Sequence, residues 1–133
     1  MKRSYYCLKC GTDLNPGTKI ILTFIAKSGQ GLILFSPQPG NYSVIVPEAA
    51  RFRQGEAVQF NCPVCHAEIT SAVNKNLAEI GFRFSNGLEG RVSFSRRYGE
   101  HATYFVTQEE IRTYGENAQV YSQVNFFGEG PED

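Results

Sequence analysis

The sequence predicts an all-β protein with one short helix near its C-terminus. Short runs of β-branched and aromatic residues recur along the chain, and segments rich in glycine and proline, which favour turns, separate them. The cysteines supply another observation, since all four occur in two Cys-x-x-Cys pairs that bracket the first group of runs. The chain of 133 residues is long enough for a single domain, which we expect to span residues 1–127.

The first half of the chain contains four predicted strands. The runs KIILTFIA (19–26), GLILFS (31–36) and YSVIVP (42–47) are separated by the turn-forming segments KSGQG and PQPGN. The run EAVQFNC (56–62) leads a further strand into the second cysteine pair. We expect KSGQG to form a hairpin turn, because it lacks the glycine spacing of a phosphate-binding loop.

Three further runs predict an antiparallel meander: AEIGFRF (78–84), EGRVSFS (89–95) and ATYFVT (102–107). The first turn of this meander contains Asn86-Gly87, a dipeptide that readily adopts the positive φ angles of a hairpin. Side-chain alternation then assigns one apolar face and one polar face to the predicted sheet. The residues of the apolar face are Ile80, Phe82, Phe84, Val92 and Phe94. The residues of the polar, partly basic outer face are Arg83, Arg91, Ser93 and Ser95.

The segment after the meander predicts the short helix. Thr107 and Glu110 fit a capping box, in which two side chains satisfy backbone N–H groups at the start of a helix. Ile111 and Tyr114 are three residues apart, and Gly115 can end the helix. A helix of about two turns depends on packing and not on intrinsic propensity for its stability.

The C-terminal residues predict a last strand, VYSQVNFF (120–127), and a flexible acidic tail, GEGPED (128–133). The formal net charge of the chain is zero, but the charges are unevenly distributed. Residues 1–99 contain 12 Lys and Arg against 6 Asp and Glu, whereas residues 100–133 contain one arginine against seven acidic residues. This asymmetry either offers a basic face to an anionic partner or lets the two parts of the chain pair with each other.

The cysteine pairs predict a metal site. Cys7-Leu-Lys-Cys10 and Cys62-Pro-Val-Cys65 each place two sulfurs at a tight turn, and two such turns supply the four thiolates of a tetrahedral zinc site. Such a site is closed, since four thiolates leave no coordination position for water or substrate. We therefore expect one structural Zn²⁺ that closes a loop of 51 residues, 11–61. Its ligands are Cys7, Cys10, Cys62 and Cys65.

Other uses of the cysteine pairs are disfavoured. The string Cys62-x-x-Cys65-His66 matches the attachment motif of c-type haem, but that assignment leaves the other pair unexplained. A redox-active pair stays open as an alternative, although the flanking residues have the character of strands and not of a strand-to-helix junction. Since four thiolates are available, we expect His66 to lie outside the coordination shell.

The N-terminus predicts a cytoplasmic protein. The sequence MKRSYYCLKC lacks the apolar stretch of a secretory signal, and no run of 18 apolar residues predicts a membrane-spanning helix. We therefore expect no membrane partner. The cytoplasm keeps thiols reduced, which disfavours disulfides between the four cysteines.

The order of these features resembles the β-tent fold of type B methionine sulfoxide reductases and Yippee-like proteins. Those families carry two widely separated Cys-x-x-Cys turns, with hairpin strands between them and a meander after them. The resemblance covers residues 5–106 and implies that the four cysteines are zinc ligands. It implies no catalysis, because the reductases need a further cysteine as nucleophile and this chain has none left. It also implies no ligand binding of the cereblon type, which uses a tryptophan cage, because the chain contains no tryptophan. An elaborated zinc ribbon with a long insertion is a close alternative description.

These features favour a non-catalytic zinc-binding module that binds a macromolecular partner, with protein preferred. The chain contains 10 Phe and 7 Tyr, more than one small core evidently needs, and aromatic residues are enriched at interfaces. The candidate interface residues are Tyr5, Tyr6, Tyr98, Tyr104 and Phe105. No sequence feature selects an oligomeric state.

A nucleic-acid partner is the alternative, through the stretch GRVSFSRRYGEHATYF. Arginines in this stretch can neutralise phosphates, and the rings between them can stack on bases. The residues that would bind such a partner are Arg91, Arg96, Arg97, Tyr98 and Tyr104. A basic surface that is only solvated is the alternative interpretation of these arginines, and we favour it over nucleic-acid binding. An enzymatic function is disfavoured because the sequence carries no triad, phosphate loop or paired-carboxylate signature, although His66 and His101 are candidate acid–base groups.

Overall fold

The computed structural model describes residues 3–121, which form two antiparallel β-sheets and one turn of 3₁₀ helix. The strands are β1 Arg3–Tyr6, β2 Ile20–Ala26, β3 Gly29–Phe35, β4 Val44–Ile45, β5 Gln59–Asn61, β6 Leu77–Phe84, β7 Glu89–Ser95, β8 Thr103–Val106 and β9 Ile111–Tyr114, followed by the 3₁₀ helix Ala118–Tyr121. The large sheet has the strand order β1-β6-β7-β8-β9, and the small sheet has the order β4-β3-β2-β5. The predicted all-β class is confirmed.

The inner faces of the two sheets share one hydrophobic core. Alternate residues of β2 in the small sheet, Leu22 and Phe24, are buried together with alternate residues of β6 in the large sheet, Ile80 and Phe82. The predicted apolar face of the meander is therefore the face that packs on the small sheet. Phe94, at the end of this face, is only half-buried.

The outer face of the large sheet is less polar than the sequence predicts. Arg83 is exposed as expected, and Arg91 forms an ion pair with Glu79, with 3.1 Å between Nη1 and Oε2. The prediction is wrong for Ser93, which is buried and donates a hydrogen bond of 3.2 Å to Glu79. The reason is a second hydrophobic cluster at this end of the sheet, formed by Leu77, Ala102, Tyr104, Val106 and Tyr121.

The predicted short helix after the meander is wrong. Residues 107–110 form a turn, and β9 pairs with β8, with Ile111 opposite Val106. The hydroxyl of Thr107 accepts hydrogen bonds from the backbone N–H groups of Glu109 and Glu110, at 3.3 and 3.2 Å. The side-chain contact that begins a helix also closes a turn, so the capping pattern does not distinguish the two structures. In the folded protein, the edge of β8 offers backbone hydrogen-bond partners to residues 111–114, and the segment considered by itself lacks these partners.

Other predicted boundaries are corrected as well. The predicted strand 42–47 contains only β4, two residues long, and β1 was not predicted because its polar residues hide its alternation. Residues 120 and 121 of the predicted strand 120–127 lie in the 3₁₀ helix and not in a strand. The remaining residues of that strand and the predicted tail 128–133 lie outside the described residues. Among residues 3–121, no helix has the length and apolar character to cross a bilayer. The domain boundary at residue 127 stays a prediction.

Candidate metal centre

Each Cys-x-x-Cys turn lies at the tip of a hairpin, and each sheet supplies one of the two hairpins. In the large sheet, β1 runs directly into Cys7, and Tyr6 forms an antiparallel bridge with Asp13 beyond the turn. In the small sheet, β5 runs directly into Cys62, and Asn61 forms the equivalent bridge with Glu68. A metal ion held by both turns therefore joins the two sheets.

The two turns share one backbone geometry. Gly11 donates its N–H to the carbonyl of Cys7 at 2.8 Å, and His66 donates its N–H to the carbonyl of Cys62 at 3.0 Å. These two residues also share a left-handed conformation, with φ angles of 77° for Gly11 and 65° for His66. Within residues 3–121, His66 is the one non-glycine residue with a positive φ. Its position is thus that of the turn residue after the cysteine pair, and its side chain is exposed, as expected for a residue outside the coordination shell.

The four cysteine sulfurs form a compact cluster. The Sγ atoms of Cys7 and Cys65 are 3.8 Å apart, as are those of Cys10 and Cys62, and all four lie within 4.8 Å of one another. Sulfurs at the corners of a tetrahedron with metal–sulfur bonds of about 2.3 Å are separated by about 3.8 Å. These two separations of 3.8 Å thus match tetrahedral coordination and are far longer than a disulfide bond, for which about 2.05 Å is usual. The predicted ligand residues come together in a cluster that can hold a metal ion.

Backbone N–H groups point at two of the sulfurs. Lys9 donates to Cys7 Sγ at 3.3 Å, and both Val64 and Cys65 donate to Cys62 Sγ at 3.4 Å. Burial acts to raise the pKa of the Cys62 thiol, but the N–H groups of Cys65 and Val64, together with the side chains of Cys65 and Cys10, lower the pKa to about 7. The backbone of the two turns thus stabilises the thiolate forms of Cys7 and Cys62.

The crowding of the sulfurs has the opposite effect on Cys65. A backbone hydrogen bond from Ala67 acts to lower its pKa, but desolvation and the neighbouring sulfurs raise the pKa to about 11. Four sulfurs this close together can all carry negative charge only when a cation compensates them. The cluster is therefore suited to a divalent ion, and its four donors leave no open coordination position.

The cluster lies where the core meets solvent. Cys7 and Cys62, the first residues of the two pairs, are buried and belong to the core, whereas Cys10 and Cys65 are exposed. The buried pair anchors the centre to both sheets, because each of these cysteines directly follows a strand. The exposed pair closes the site from the solvent side.

The arginines predicted to bind a partner are engaged within the fold. Arg91 pairs with Glu79. Arg96 donates from Nε to the carbonyl of Val58 at 2.9 Å and from Nη1 to the carbonyl of Lys75 at 2.6 Å. Arg97, which is exposed, also donates to backbone and side-chain oxygens of two neighbouring loops. These guanidinium groups connect segments of the protein to one another.

The predicted aromatic interface residues are mostly buried. Tyr104 is only 2% exposed and donates its hydroxyl to the carbonyl of Ala118, and Tyr5 and Phe105 are buried in the core. Tyr98 is 41% exposed, with its ring stacked on Phe52 at 5.1 Å between ring centroids. The stretch from Arg91 to Tyr104 therefore does not present its rings and its cations on one open face.

A cavity of about 450 Å³, which the sequence analysis did not predict, opens between the two sheets. Its lining includes the apolar rings of Phe35, Phe60 and Phe94. It also includes Tyr42 and His101, whose rings are stacked with 4.3 Å between their centroids. The lining residues come from both sheets and from separate loops, so no local sequence pattern could have revealed it. Its volume lies in the range of small-molecule pockets, which is about 300–1,000 Å³.

His101 has a carboxylate partner, but not the one beside it in sequence. Its Nδ1 atom lies 3.3 Å from Oε1 of Glu116. Glu100 instead accepts hydrogen bonds from the hydroxyls of Ser95 and Tyr121. Burial, together with the hydrogen bond to Glu100, raises the pKa of Tyr121 to about 12, so this contact is a neutral phenol donating to a carboxylate.

The fold and the site together define the class of this protein, which is an all-β protein with a candidate four-cysteine metal centre. Each of its two antiparallel sheets contributes one Cys-x-x-Cys turn to the shared cluster of four sulfurs. No family model, no curated protein and no solved structure matches the chain. The chemistry of this centre and the surfaces around it therefore carry the functional argument.

The conformation of His66 leads to a testable prediction. A side chain in the left-handed region costs about 1–2 kcal/mol, and this cost is only partly offset by the entropy that glycine loses on folding. We expect His66→Gly to raise the free energy of unfolding of the metal-loaded protein by up to about 1 kcal/mol, and His66→Val to lower it by about 1–2 kcal/mol, in urea denaturation. His66→Asn is the control, because asparagine tolerates this conformation. A large loss of metal affinity in His66→Gly would instead identify the imidazole as a ligand.

Proposed function

We propose that this protein is a non-catalytic module in which one structural Zn²⁺ joins two β-sheets and the outer face of the small sheet binds a protein partner. The zinc assignment is supported by the four-sulfur donor set and by its tetrahedral separations. The proposal includes a cytoplasmic location, where thiols stay reduced. It also includes the β-tent-like arrangement, because the two sheets meet at the cysteine cluster.

The observation that carries the proposal is the outer face of the small sheet, which we call the aliphatic face. Its residues follow from the strand register, in which Ile21 lies opposite Leu34 and Leu34 lies opposite Ile45. The side chains of Leu32 and Ile45 are 54% and 55% exposed, and that of Ile25 is 46% exposed. The aliphatic face consists of Ile21, Ile25, Leu32, Leu34 and Ile45.

The aliphatic face also lacks charge. None of the strands of the small sheet contains an acidic or basic residue. The outer face of the large sheet, in contrast, carries Glu79, Arg83, Glu89 and Arg91. A sheet face that meets water normally alternates apolar-in with polar-out, so the small sheet departs from the pattern of a solvated face. Contiguous exposed apolar surface on a soluble protein is a mark of a protein interface.

The two alternatives receive less support. Nucleic-acid binding requires accessible cations and rings together, and the structure engages Arg96 with backbone carbonyls and buries Tyr104. A redox-active pair typically lies at the start of a helix, whereas here both pairs lie at hairpin turns of β-sheets and share one cluster of four sulfurs.

The experiment compares three baits in native extract. The wild-type protein, a face variant (Leu32→Lys with Ile45→Lys) and a control variant (Gln108→Lys with Thr113→Lys) are immobilised with zinc bound. The control adds the same charge at exposed positions of the large sheet and its last turn. We expect at least one protein to be captured about 10-fold less by the face variant and equally by the control, and its purified form to bind the wild type directly. Equal capture by all three baits would refute the proposal.

Oligonucleotide binding is measured in parallel by fluorescence anisotropy at rising salt. Phosphate contacts give an affinity that falls steeply with salt. We expect no binding with such a slope. A salt-dependent affinity that Arg97→Ala removes, without loss of stability, would favour the nucleic-acid alternative.

The cavity favours a second candidate function, the binding of an uncharged and largely apolar small molecule. Phe35, Phe60 and Phe94 line the cavity with apolar surface. Tyr42 also lines it, with its hydroxyl hydrogen-bonded to Thr103 Oγ1 at 2.8 Å. A screen of aromatic fragments by ligand-observed NMR tests this candidate. We expect Phe94→Trp, which fills part of the cavity, to abolish binding, whereas fragments that bind both proteins equally would place the site elsewhere.

A further inference from the structure

We infer that residues 122–133 of this chain occupy the cavity between the two sheets, with their apolar side chains against its aromatic lining and their acidic groups beside its two arginines. The inference goes beyond the proposed function, because it concerns the cavity and not the aliphatic face. Three observations carry it, which are the place where the described part of the chain ends, a match in polarity and a match in charge.

The described part of the chain ends beside the cavity. His101 lines the cavity, and its backbone is hydrogen-bonded to Asn117 in both directions, at 2.8 and 2.9 Å. Glu100 also lines the cavity and accepts a hydrogen bond from the hydroxyl of Tyr121. An extended chain spans up to about 3.5 Å per residue, so the six residues after Tyr121 can reach about 20 Å. Their side chains can therefore enter the cavity.

The apolar residues of this segment match the lining of the cavity. Residues 122–127, SQVNFF, contain Val124, Phe126 and Phe127. The three phenylalanines of the lining lie 5.5, 5.6 and 5.7 Å apart between ring centroids, and further rings pack favourably on such a group. An apolar cavity of about 150 Å³ binds one benzene molecule, so the cavity of about 450 Å³ has room for both phenyl rings of the segment.

The charges of the segment complement those of the lining. Arg96 and Arg97 line the cavity and donate hydrogen bonds to uncharged oxygens, and neither forms an ion pair within residues 3–121. Glu100 is the acidic residue of the lining, so two positive charges face one negative charge there. Residues 122–133 contain three acidic residues and no basic one. The acidic residues are Glu129, Glu132 and Asp133.

Attachment to the same chain favours this occupant over a free molecule. A binding group on a short flexible linker has an effective concentration in the millimolar range. A free ligand of the same intrinsic affinity would have to reach that concentration to compete equally. The segment therefore acts as an intramolecular competitor, which a small molecule must displace in order to bind in the cavity.

The first test is NMR spectroscopy of the metal-loaded full chain. We expect nuclear Overhauser contacts between the rings of Phe126 and Phe127 and methyl groups that line the cavity. These methyl groups include those of Ile20, Ile33 and Val92. Contacts to the exposed methyl groups of Leu32 and Ile45 instead would place the segment on the aliphatic face and overturn the inference. Rings that make no contact with residues 3–121 would overturn it as well.

A second test measures the competition with N-phenyl-1-naphthylamine, an uncharged aromatic dye whose fluorescence rises in apolar surroundings. We expect the variant Phe126→Ser with Phe127→Ser to bind the dye about 10-fold more tightly than the wild type, because a site that is occupied about nine-tenths of the time loses that factor in affinity. The control variant, Gln123→Ser with Asn125→Ser, keeps the apolar residues of the segment and should bind the dye as the wild type does. Circular dichroism checks that each variant is folded.

The dye also shows where the competition takes place. Phe94→Trp, which fills part of the cavity, should remove the gain in affinity when it is added to the double serine variant. A gain that survives Phe94→Trp would place the dye outside the cavity and overturn the inference. Equal affinity of the wild type and the double serine variant, including no binding to either, would also overturn it. The capture experiment on the aliphatic face uses residues 122–133 unchanged, so the proposed function stands or fails on that experiment alone.

Discussion

Removal of the metal is expected to unfold the protein. Structural zinc in small domains contributes an apparent ~10–16 kcal/mol at neutral pH, which equals or exceeds the entire stability of about 5–15 kcal/mol of a typical domain. In this protein the ion would join two hairpins from different sheets across a loop of 51 residues, 11–61. Addition of a strong chelator should therefore abolish the β-sheet circular dichroism signal and the cooperative thermal transition, and zinc should restore both.

Single cysteine variants test the same centre. We expect Cys62→Ser, which removes a buried ligand, to unfold the protein even with excess zinc, because three thiolates bind far more weakly and an unpaired hydroxyl is left in the core. His66→Ala is the control, since its side chain is exposed beside the cluster. A chelated protein that keeps its spectrum and melting temperature would contradict a structural role for the metal.

Zinc binding should also weaken as the pH falls. Removal of the metal is expected to unfold the protein, and a thiol in an unfolded chain has a pKa of about 8.5, so zinc must displace protons to bind at neutral pH. Lower pH favours the proton in this competition. Competition with a zinc indicator between about pH 8 and about pH 6 should show an apparent affinity that decreases steadily with pH.

Arg96→Ala is expected to have the second largest effect. Its guanidinium donates to the carbonyls of Val58, just before β5, and of Lys75, just before β6, and so connects the small sheet to the large one independently of the metal. A hydrogen bond from a charged donor contributes about 1.5–3 kcal/mol, and its loss leaves carbonyl groups without a partner. We expect urea denaturation of the zinc-loaded protein to show a loss of about 3 kcal/mol.

Arg83→Ala is the matched control for this prediction. Arg83 is an exposed arginine at the opposite end of the β6–β7 pair, and it pairs with the exposed Glu89 at 3.1 Å. Its removal should cost less than about 1 kcal/mol, because exposed ion pairs contribute little. If Arg96→Ala retained full stability but lost affinity for oligonucleotides, the structural role of this arginine would be refuted and the nucleic-acid alternative would gain support.

The candidate metal centre was predictable because its signal is local. Each Cys-x-x-Cys pair brings two sulfurs to one turn within four residues, and the number of cysteines leaves only one way to complete a four-sulfur cluster. The equivalence of Gly11 and His66 could not be predicted, because a histidine at a left-handed position of a turn has no sequence signature. Only the backbone conformation shows that the imidazole stands where the other turn has glycine.

The contacts of Arg96 and Tyr104 within the fold could not be predicted from their neighbours in sequence. The stretch from Arg91 to Tyr104 alternates cations and rings, a pattern that is typical of nucleic-acid binding. In the structure, Tyr104 packs in the second hydrophobic cluster, and Arg96 donates hydrogen bonds to carbonyls that are 38 and 21 residues away in the sequence. Partners at such sequence distances are set by the packing of the sheets.

The sequence by itself determined the all-β class, most of the strands and the four cysteines of the candidate centre, because alternation and pair spacing act over a few residues. Only the tertiary structure decided that residues 111–114 form an edge strand and not a helix, since the open edge of β8 outweighs a weak local preference. It also decided that the aliphatic face lies outward. The identity of an apolar residue in a strand does not show which side of the sheet it will face in the fold. Only the position of the second sheet determines which side is buried.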